Sequence, residues 1–423
     1  MKTRAPYRLC ALLQTPDIMQ RAILLAALAA VFTTDLPAQR LGPPVPRPPL
    51  DAGADTNDAT AYYDYGVQQF DRTPEKAAAA FYWAARLNPA WGEPLYARRA
   101  ALLMVQPRFL RLVMEGDRRT MASDENRRLD SLQFRALMLS PFLFRRLDRR
   151  MFAAYVRSWY IEANGTPPAD LDYQIDQYLR EAPDGMRAWA AYSDGNFPVA
   201  LRAYARALES AKDKAAVRLD RGRIFAMQNR VDSANHEFKL AIMEMQKRDQ
   251  KDLVIFYNSK ALAEYSSAVL LEGADSAASA REAYGRALQE DLAYYPAHLR
   301  LGLLALGIKD TTTAMSELAL ASQLAPDEPY IRYTNGYVLA ASGHLTEAVT
   351  ELQKAVELEP FFALPYLRLA QINEHLANGP AAAAAYSQFL AKTRALDPQR
   401  AFATEHLTDI REIMAAAAAA AKP

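Results

Sequence analysis

The chain has 423 residues, of which 51% are hydrophobic and 23% charged. That length exceeds a single compact core, and that composition excludes a disordered chain. Lys plus Arg number 50 against 49 Asp plus Glu, so no global charge points to nucleic acid or acidic lipid. The lone Cys10 excludes an intrachain disulfide.

The amino-terminal region reads as an address followed by a tether. Residues 22–32 (AILLAALAAVF) form an uncharged apolar run between Arg21 and Thr33-Thr34-Asp35. A membrane span needs about 20 apolar residues, whereas a signal-peptide core needs roughly 7–15. Leu36-Pro37-Ala38 before Gln39 suits cleavage after Ala38, so residues 1–38 are expected to be a signal peptide and the mature protein periplasmic or secreted. Met19 is an alternative start that would remove Cys10, and a buried helix of the folded body is the competing reading of the apolar run. Residues 39–57 are dense in Pro, Gly and Asp, a composition that favours extended conformations and predicts a linker.

Residues 58–102 hold a first repeat-like unit and a following helix. Ala77-x3-Phe81-x2-Ala84 is closed by Pro89, with Gly66 eleven positions before Ala77. Residues 103–180 depart from that pattern and predict a basic helical insert. Between 98 and 157 there are fourteen Arg, no Lys and six acids, an excess of eight positive charges. Three readings stand open. The arginines pair with acids elsewhere on the chain, or they dock an acidic partner, or they lie on an anionic membrane surface.

From 181 to 398 the chain repeats. Ala200-x3-Tyr204-x2-Ala207 recurs 34 residues later as Ala234-x3-Phe238-x2-Ala241. After a step of 46, which adds twelve residues near MEMQKRDQKDLV, the 34-residue phase resumes at Ala280, Ala314, Ala348 and Ala382, with Tyr284, Leu318, Leu352 and Tyr386 four residues on. A small residue precedes each leading alanine by twelve positions: Gly222, Ala268, Gly302, Gly336 and Ala370. Pro326 and Pro360 close two of the units. Residues 399–423, ending in an alanine run, read as a capping helix and tail.

These residues resemble the tetratricopeptide repeat, in which a small residue on a first helix faces Ala-x3-aromatic-x2-Ala on a second and a proline closes the unit. The resemblance implies an all-α superhelical solenoid of roughly seven stacked helix pairs, since one pair cannot bury its apolar faces alone. It also implies an inner surface lined by first-helix residues. Counting units from 181, 215, 261, 295, 329 and 363, the lining positions include Trp189, Tyr192, Asp220, Arg223, Tyr265, Arg300, Tyr330, Tyr333, Tyr337, Arg368, Gln371 and Glu374. Tyr, Trp and Arg are frequent anchors of protein interfaces, although some of these tyrosines are expected to pack between units. The Lys/Asn clamp by which some family members hold a terminal carboxylate is not reproduced.

No catalytic constellation accompanies the repeat. His236-Glu237 opens like a zinc-protease motif, but position 240 is Leu, and neither a phosphate loop nor a Gly-x-Ser-x-Gly elbow occurs. The expected function is therefore a non-catalytic scaffold holding a protein or peptide partner in its groove, without cofactor, metal or nucleic acid. The alternatives are an envelope assembly factor touching membrane or an acidic partner through the insert, or a non-catalytic subunit of an enzyme complex.

Overall fold

The structure is a computed structural model that describes residues 45–247 and 259–420. The expected signal peptide, Cys10, Met19, the start of the Pro-rich segment, part of the twelve-residue insertion and the last three residues lie outside the described residues. Among those described, every regular element is an α-helix, and no strand occurs.

In chain order they are α1 (Ala59–Gln69), α2 (Pro74–Leu87), α3 (Glu93–Val105), α4 (Pro107–Met114), α5 (Arg118–Met121), α6 (Asp124–Leu139), α7 (Asp148–Asn164) and α8 (Leu171–Glu181). The array follows as α9 (Asp184–Ser193), α10 (Phe197–Ser210), α11 (Lys214–Met227), α12 (Val231–Gln246), α13 (Lys260–Gly273), α14 (Ala277–Glu290), α15 (Tyr295–Gly307), α16 (Thr311–Leu324), α17 (Pro329–Ala341), α18 (Leu345–Leu358), α19 (Ala363–His375) and α20 (Gly379–Lys392). Helix α21 (Arg400–Ala420) closes it, burying Ala403, Leu407 and Ile410 against α20.

Among the described residues seven pairs are hairpins: α1–α2, which packs on α3, and α9–α10 through α19–α20, each packed on the next. Their contact is built from the small-against-large pairs of the sequence. A Cβ added to Gly222 would stand 2.6 Å from the Phe238 ring, and one on Gly336 would stand 2.7 Å from Leu352. Gly66 meets Phe81 in the same way in the front hairpin, at 2.6 Å. Absence of a side chain at these positions lets the two helix axes approach until the large residue fills the gap.

The turn inside each of the six hairpins from α9 to α20 is also periodic. Gly195, Asn229, Asp275, Lys309, Gly343 and Ala377 all take positive φ, between 53° and 85°, where the first helix ends. Each is followed by a backbone amide that reaches back across the turn: Asn196 to Ala191, Arg230 to Phe225, Ser276 to Leu271, Asp310 to Ala305, His344 to Leu339 and Asn378 to Asn373, at 2.8–2.9 Å. This left-handed closure satisfies carbonyls that a helix end leaves orphaned.

Within 103–180 the helices α4–α8 do not pair as repeats. Helix α6 packs instead on α3, and backbone meets backbone there: a Cβ on Gly92 would lie 2.4 Å from the Ala136 carbonyl oxygen.

Candidate partner-binding face

The inner face of the array divides into a part covered by the chain itself and a part left half-exposed. The covering element is the α6–α7 connection, residues 140–147, which follows α6 after Pro141 and has no regular secondary structure. It lies against the first two hairpins of the array and touches both their first and their second helices. Phe142 stacks on Phe238 at 6.3 Å, and Phe144 meets Tyr192 and Phe197 edge-on at 5.8 and 5.6 Å. Leu143 is fully buried, and its carbonyl accepts a 2.9 Å hydrogen bond from the Tyr192 hydroxyl. The Ser193 hydroxyl donates to the Arg145 carbonyl at 3.2 Å.

Arg145 anchors the segment. Its guanidinium reaches Asp220 at 2.8 Å and Asp148 at 3.6 Å, and lies over the Tyr192 ring. Asp220 also accepts from Tyr204 at 3.0 Å and from Arg223 at 2.9 Å. Burial works against the Asp220 charge, but Arg145, Arg223 and Tyr204 outweigh it and hold its carboxyl below the ordinary 3.8. Burial pushes the Tyr192 hydroxyl up to about 12.

A second seam joins the front of the chain to the last hairpins. Arg86 of α2 binds Glu359 at 2.8 Å, and Arg135 of α6 binds Glu328 with Nη2 at 2.7 Å from Oε2. Trp83 meets Phe361 edge-on at 4.8 Å, with Arg47 stacked 4.4 Å over the indole. The described part of the Pro-rich segment has no regular secondary structure, turns at Asp51–Ala54 and Asp55–Asp58, and is not a free spacer. Val45 accepts a hydrogen bond from the Trp83 indole at 2.8 Å, Asn57 donates to the Ala391 carbonyl at 3.0 Å, and the Asp55 carboxylate accepts from the Ala395 amide.

The two seams differ electrostatically. At Glu359 the cost of burial exceeds what Arg86 returns, so its carboxyl titrates above the ordinary 4.5. A lowered folded value, as at Asp220, stabilises above the unfolded value and is lost as pH falls through the folded one. A raised value has the opposite sign. Asp220 should therefore remove stability as pH is taken below 3.8, whereas Glu359 acts at higher pH, adding stability as pH falls through its raised value toward 4.5. Denaturant melts of Asp220→Asn should show a flatter acid limb than the parent, and an unchanged limb would refute the assignment.

The arginine excess of the insert is largely consumed within the chain. Eight of the fourteen pair with its own acids: Arg99 with Asp130, Arg111 with Glu115 and Glu162, Arg127 with Asp124, Arg135 with Glu328, Arg145 with Asp148 and Asp220, Arg149 with Asp176 and Asp194, Arg150 with Asp71, and Arg157 with Asp172. Arg98 and Arg146 lie over Tyr82 and Tyr63 at 4.7 and 4.8 Å.

The lining residues expected from the repeat sort accordingly. Trp189 packs edge-on against Phe152 of α7 at 5.7 Å, while Tyr192 lies beneath the 140–147 segment, Asp220 pairs with its anchor and Arg223 pairs with Asp220. Tyr265 is buried between Tyr284 and Tyr294 at 5.7 and 5.3 Å. Arg300, Tyr330, Tyr333, Tyr337, Arg368 and Gln371 come together as a band across α15, α17 and α19, all half-buried. Tyr330 and Tyr333 have ring centroids 6.4 Å apart, and Tyr333 leans on Phe362 at 5.2 Å. Arg368 lies 5.0 Å over the Tyr337 ring and donates to Gln371 Oε1 at 2.9 Å, while Arg300 reaches Glu272 at 3.4 Å. Glu374 turns away to the cap, accepting from the Tyr386 hydroxyl at 2.7 Å and facing His406 Nδ1 at 2.8 Å.

Sequence spacing does not single out Trp83 or Phe361, and Phe142 and Phe144 stand out there only as aromatics interleaved with the arginines of 98–157. Among the described residues no group of three or more His, Cys, Asp or Glu could hold a metal, and no helix is long and apolar enough to cross a membrane.

Comparison with known proteins bears on the fold. A tetratricopeptide repeat family model matches residues 186–242, which take in α9 to α11 and most of α12. No curated protein matches the sequence. Among solved structures, PilW, described as a widely conserved type IV pilus biogenesis factor, is 19% identical over 49% of this chain and 91% of its own, with a TM-score of 0.39. YrrB, described as a TPR protein with an unusual peptide-binding site, is 18% identical over 46% of this chain and 93% of its own, with a TM-score of 0.33. MamA from Desulfovibrio magneticus is 18% identical over 48% of this chain and 97% of its own, with a TM-score of 0.34. The family match over residues 186–242 and the hairpins that close a small residue on a large one, at 34-residue steps apart from one of 46, identify a tetratricopeptide-repeat array in this chain.

Proposed function

We propose that the protein is an exported, non-catalytic scaffold, periplasmic or secreted, that holds an extended segment or helix of a partner protein on the inner face of its last three hairpins. The observation that carries this reading is the Arg300–Tyr330–Tyr333–Tyr337–Arg368–Gln371 band, which stays half-exposed while the 140–147 segment covers Tyr192 further along the same face. Tyrosine and arginine bury large area at low entropic cost and are the side chains that most often dominate association energies. The array's own use of its inner face to grip Phe142, Leu143 and Phe144 supports the same mode of recognition.

A photo-crosslinking amino acid placed at Tyr337 should trap a partner in the native host, and the same probe at the outward-facing Glu282 of α14 should not. The double variant Tyr333→Ala, Arg368→Ala should lose that partner. Equal capture by the double variant would remove the band from the function. Export is read from residues 22–38 and is tested by sequencing the mature amino terminus, where retention of residues 1–38 would overturn it.

A further inference from the structure

Every half-buried or buried arginine of the array except one meets an acid of this chain. Arg218 and Arg221 share Glu237, Arg223 has Asp220, Arg286 has Glu264, Arg300 has Glu272 and Arg332 has Glu351. Arg187, at the margin of exposure, has Asp184. Within α9–α20 Arg368 is the exception among the described residues; outside those helices Arg400 meets the Leu390 and Thr393 carbonyls, and Arg98 and Arg146 lie over aromatic rings. The partners of Arg368 are the Gln371 amide oxygen, the face of Tyr337 and the Tyr333 hydroxyl, all neutral. Glu374, the acid one and a half turns along the same helix, is taken by Tyr386 and His406. Lys392 lies 5.4 Å from the centroid of the Tyr366 ring on α19 and acts on the Glu359 charge.

From this charge imbalance we propose that Arg368 receives the carboxylate of an Asp or Glu side chain within an extended acidic segment of the partner, a reading that rests on the groove function above. The guanidinium offers paired N–H groups that match a carboxylate, and the remaining neighbours supply phenol and amide donors but no competing negative charge. A side chain from a passing segment fits better than a chain terminus because the band continues past Arg368 toward Tyr330 and Arg300. Helix layers stand about 8–10 Å apart, so from α19 to α15 is roughly 20 Å, which about six extended residues would span. Along that path the three tyrosines present faces for apolar or aromatic side chains, and Arg300, already shared with Glu272, is a weaker second charge.

The test is selection of the full chain against a display library of random dodecapeptides embedded inside a carrier, so that no free terminus is presented. Wild type should enrich Asp or Glu at one position beside an aromatic or apolar residue. Exchanging that acid for its amide should weaken binding at least tenfold, as should Arg368→Gln, and the two losses should not add in a double-mutant cycle. Affinity should also fall with ionic strength. Binders without acid enrichment that lose affinity on Tyr333→Ala but not on Arg368→Gln would overturn the carboxylate assignment and leave the groove standing. Binders indifferent to both substitutions would overturn both, and so would failure to select any binder from this library and from a second one that displays free carboxy termini. Binding only to peptides with a free carboxy terminus would replace the side-chain ligand by a chain end and overturn the proposal.

Discussion

Arg145→Ala should cost about 3–5 kcal/mol of folding stability, the range for removing one partner of a buried ion pair. The loss is not that of a surface contact, because Asp220 would remain under the 140–147 segment with only Arg223 and Tyr204 to hold its charge. Arg145 also fixes the segment from the other side through Asp148 and covers the Tyr192 ring. The variant should therefore unfold at lower denaturant, and cleavage by a protease should begin within 140–147. Asp220→Asn added to Arg145→Ala should recover little of the loss, because the buried Arg223 then loses the acid it holds at 2.9 Å. A shift below about 1 kcal/mol, the range of exposed pairs, would mean that the segment is not anchored as described.

That anchor also marks where the sequence stops being readable. The hairpins were legible because their contact is local: Gly336 and Leu352 lie sixteen residues apart in one repeat, and the same relation returns every 34. The turn geometry was legible only in part. Gly195, Gly343 and Asn229 are residue types that accept positive φ, but Lys309 and Ala377 occupy the same conformation without announcing it. The arginine excess could not be resolved because the answering acids are far away along the chain. Asp220 is 75 residues from Arg145, and Glu328 is 193 from Arg135. For the same reason spacing alone placed Tyr192, Arg223 and Tyr265 beside Tyr333 and Arg368. Nothing in a repeat pattern tells which stretch of its own inner face a chain will cover.

Gly222→Ala sets local propensity against this long-range packing. In a helix with room around it the change should help by up to about 1 kcal/mol, and Gly285 of α14, with nothing within 4 Å of a new Cβ, should behave so. At Gly222 the new methyl would stand 2.6 Å from the Phe238 ring, and overpacking of this kind costs about 1–3 kcal/mol. The repeat itself tolerates a methyl here, since Ala268 and Ala370 hold the equivalent position sixteen residues before Tyr284 and Tyr386. What differs at Phe238 is the Phe142 ring stacked on it from the inserted segment, at an interplanar angle of 23°. Gly222→Ala should accordingly destabilise in the parent and do so less in a Phe142→Ala background, where the Phe238 ring can retreat. Equal effects in the two backgrounds would show that Phe142 does not confine that ring, and a gain in stability in the parent would show that the helices were never in close contact there.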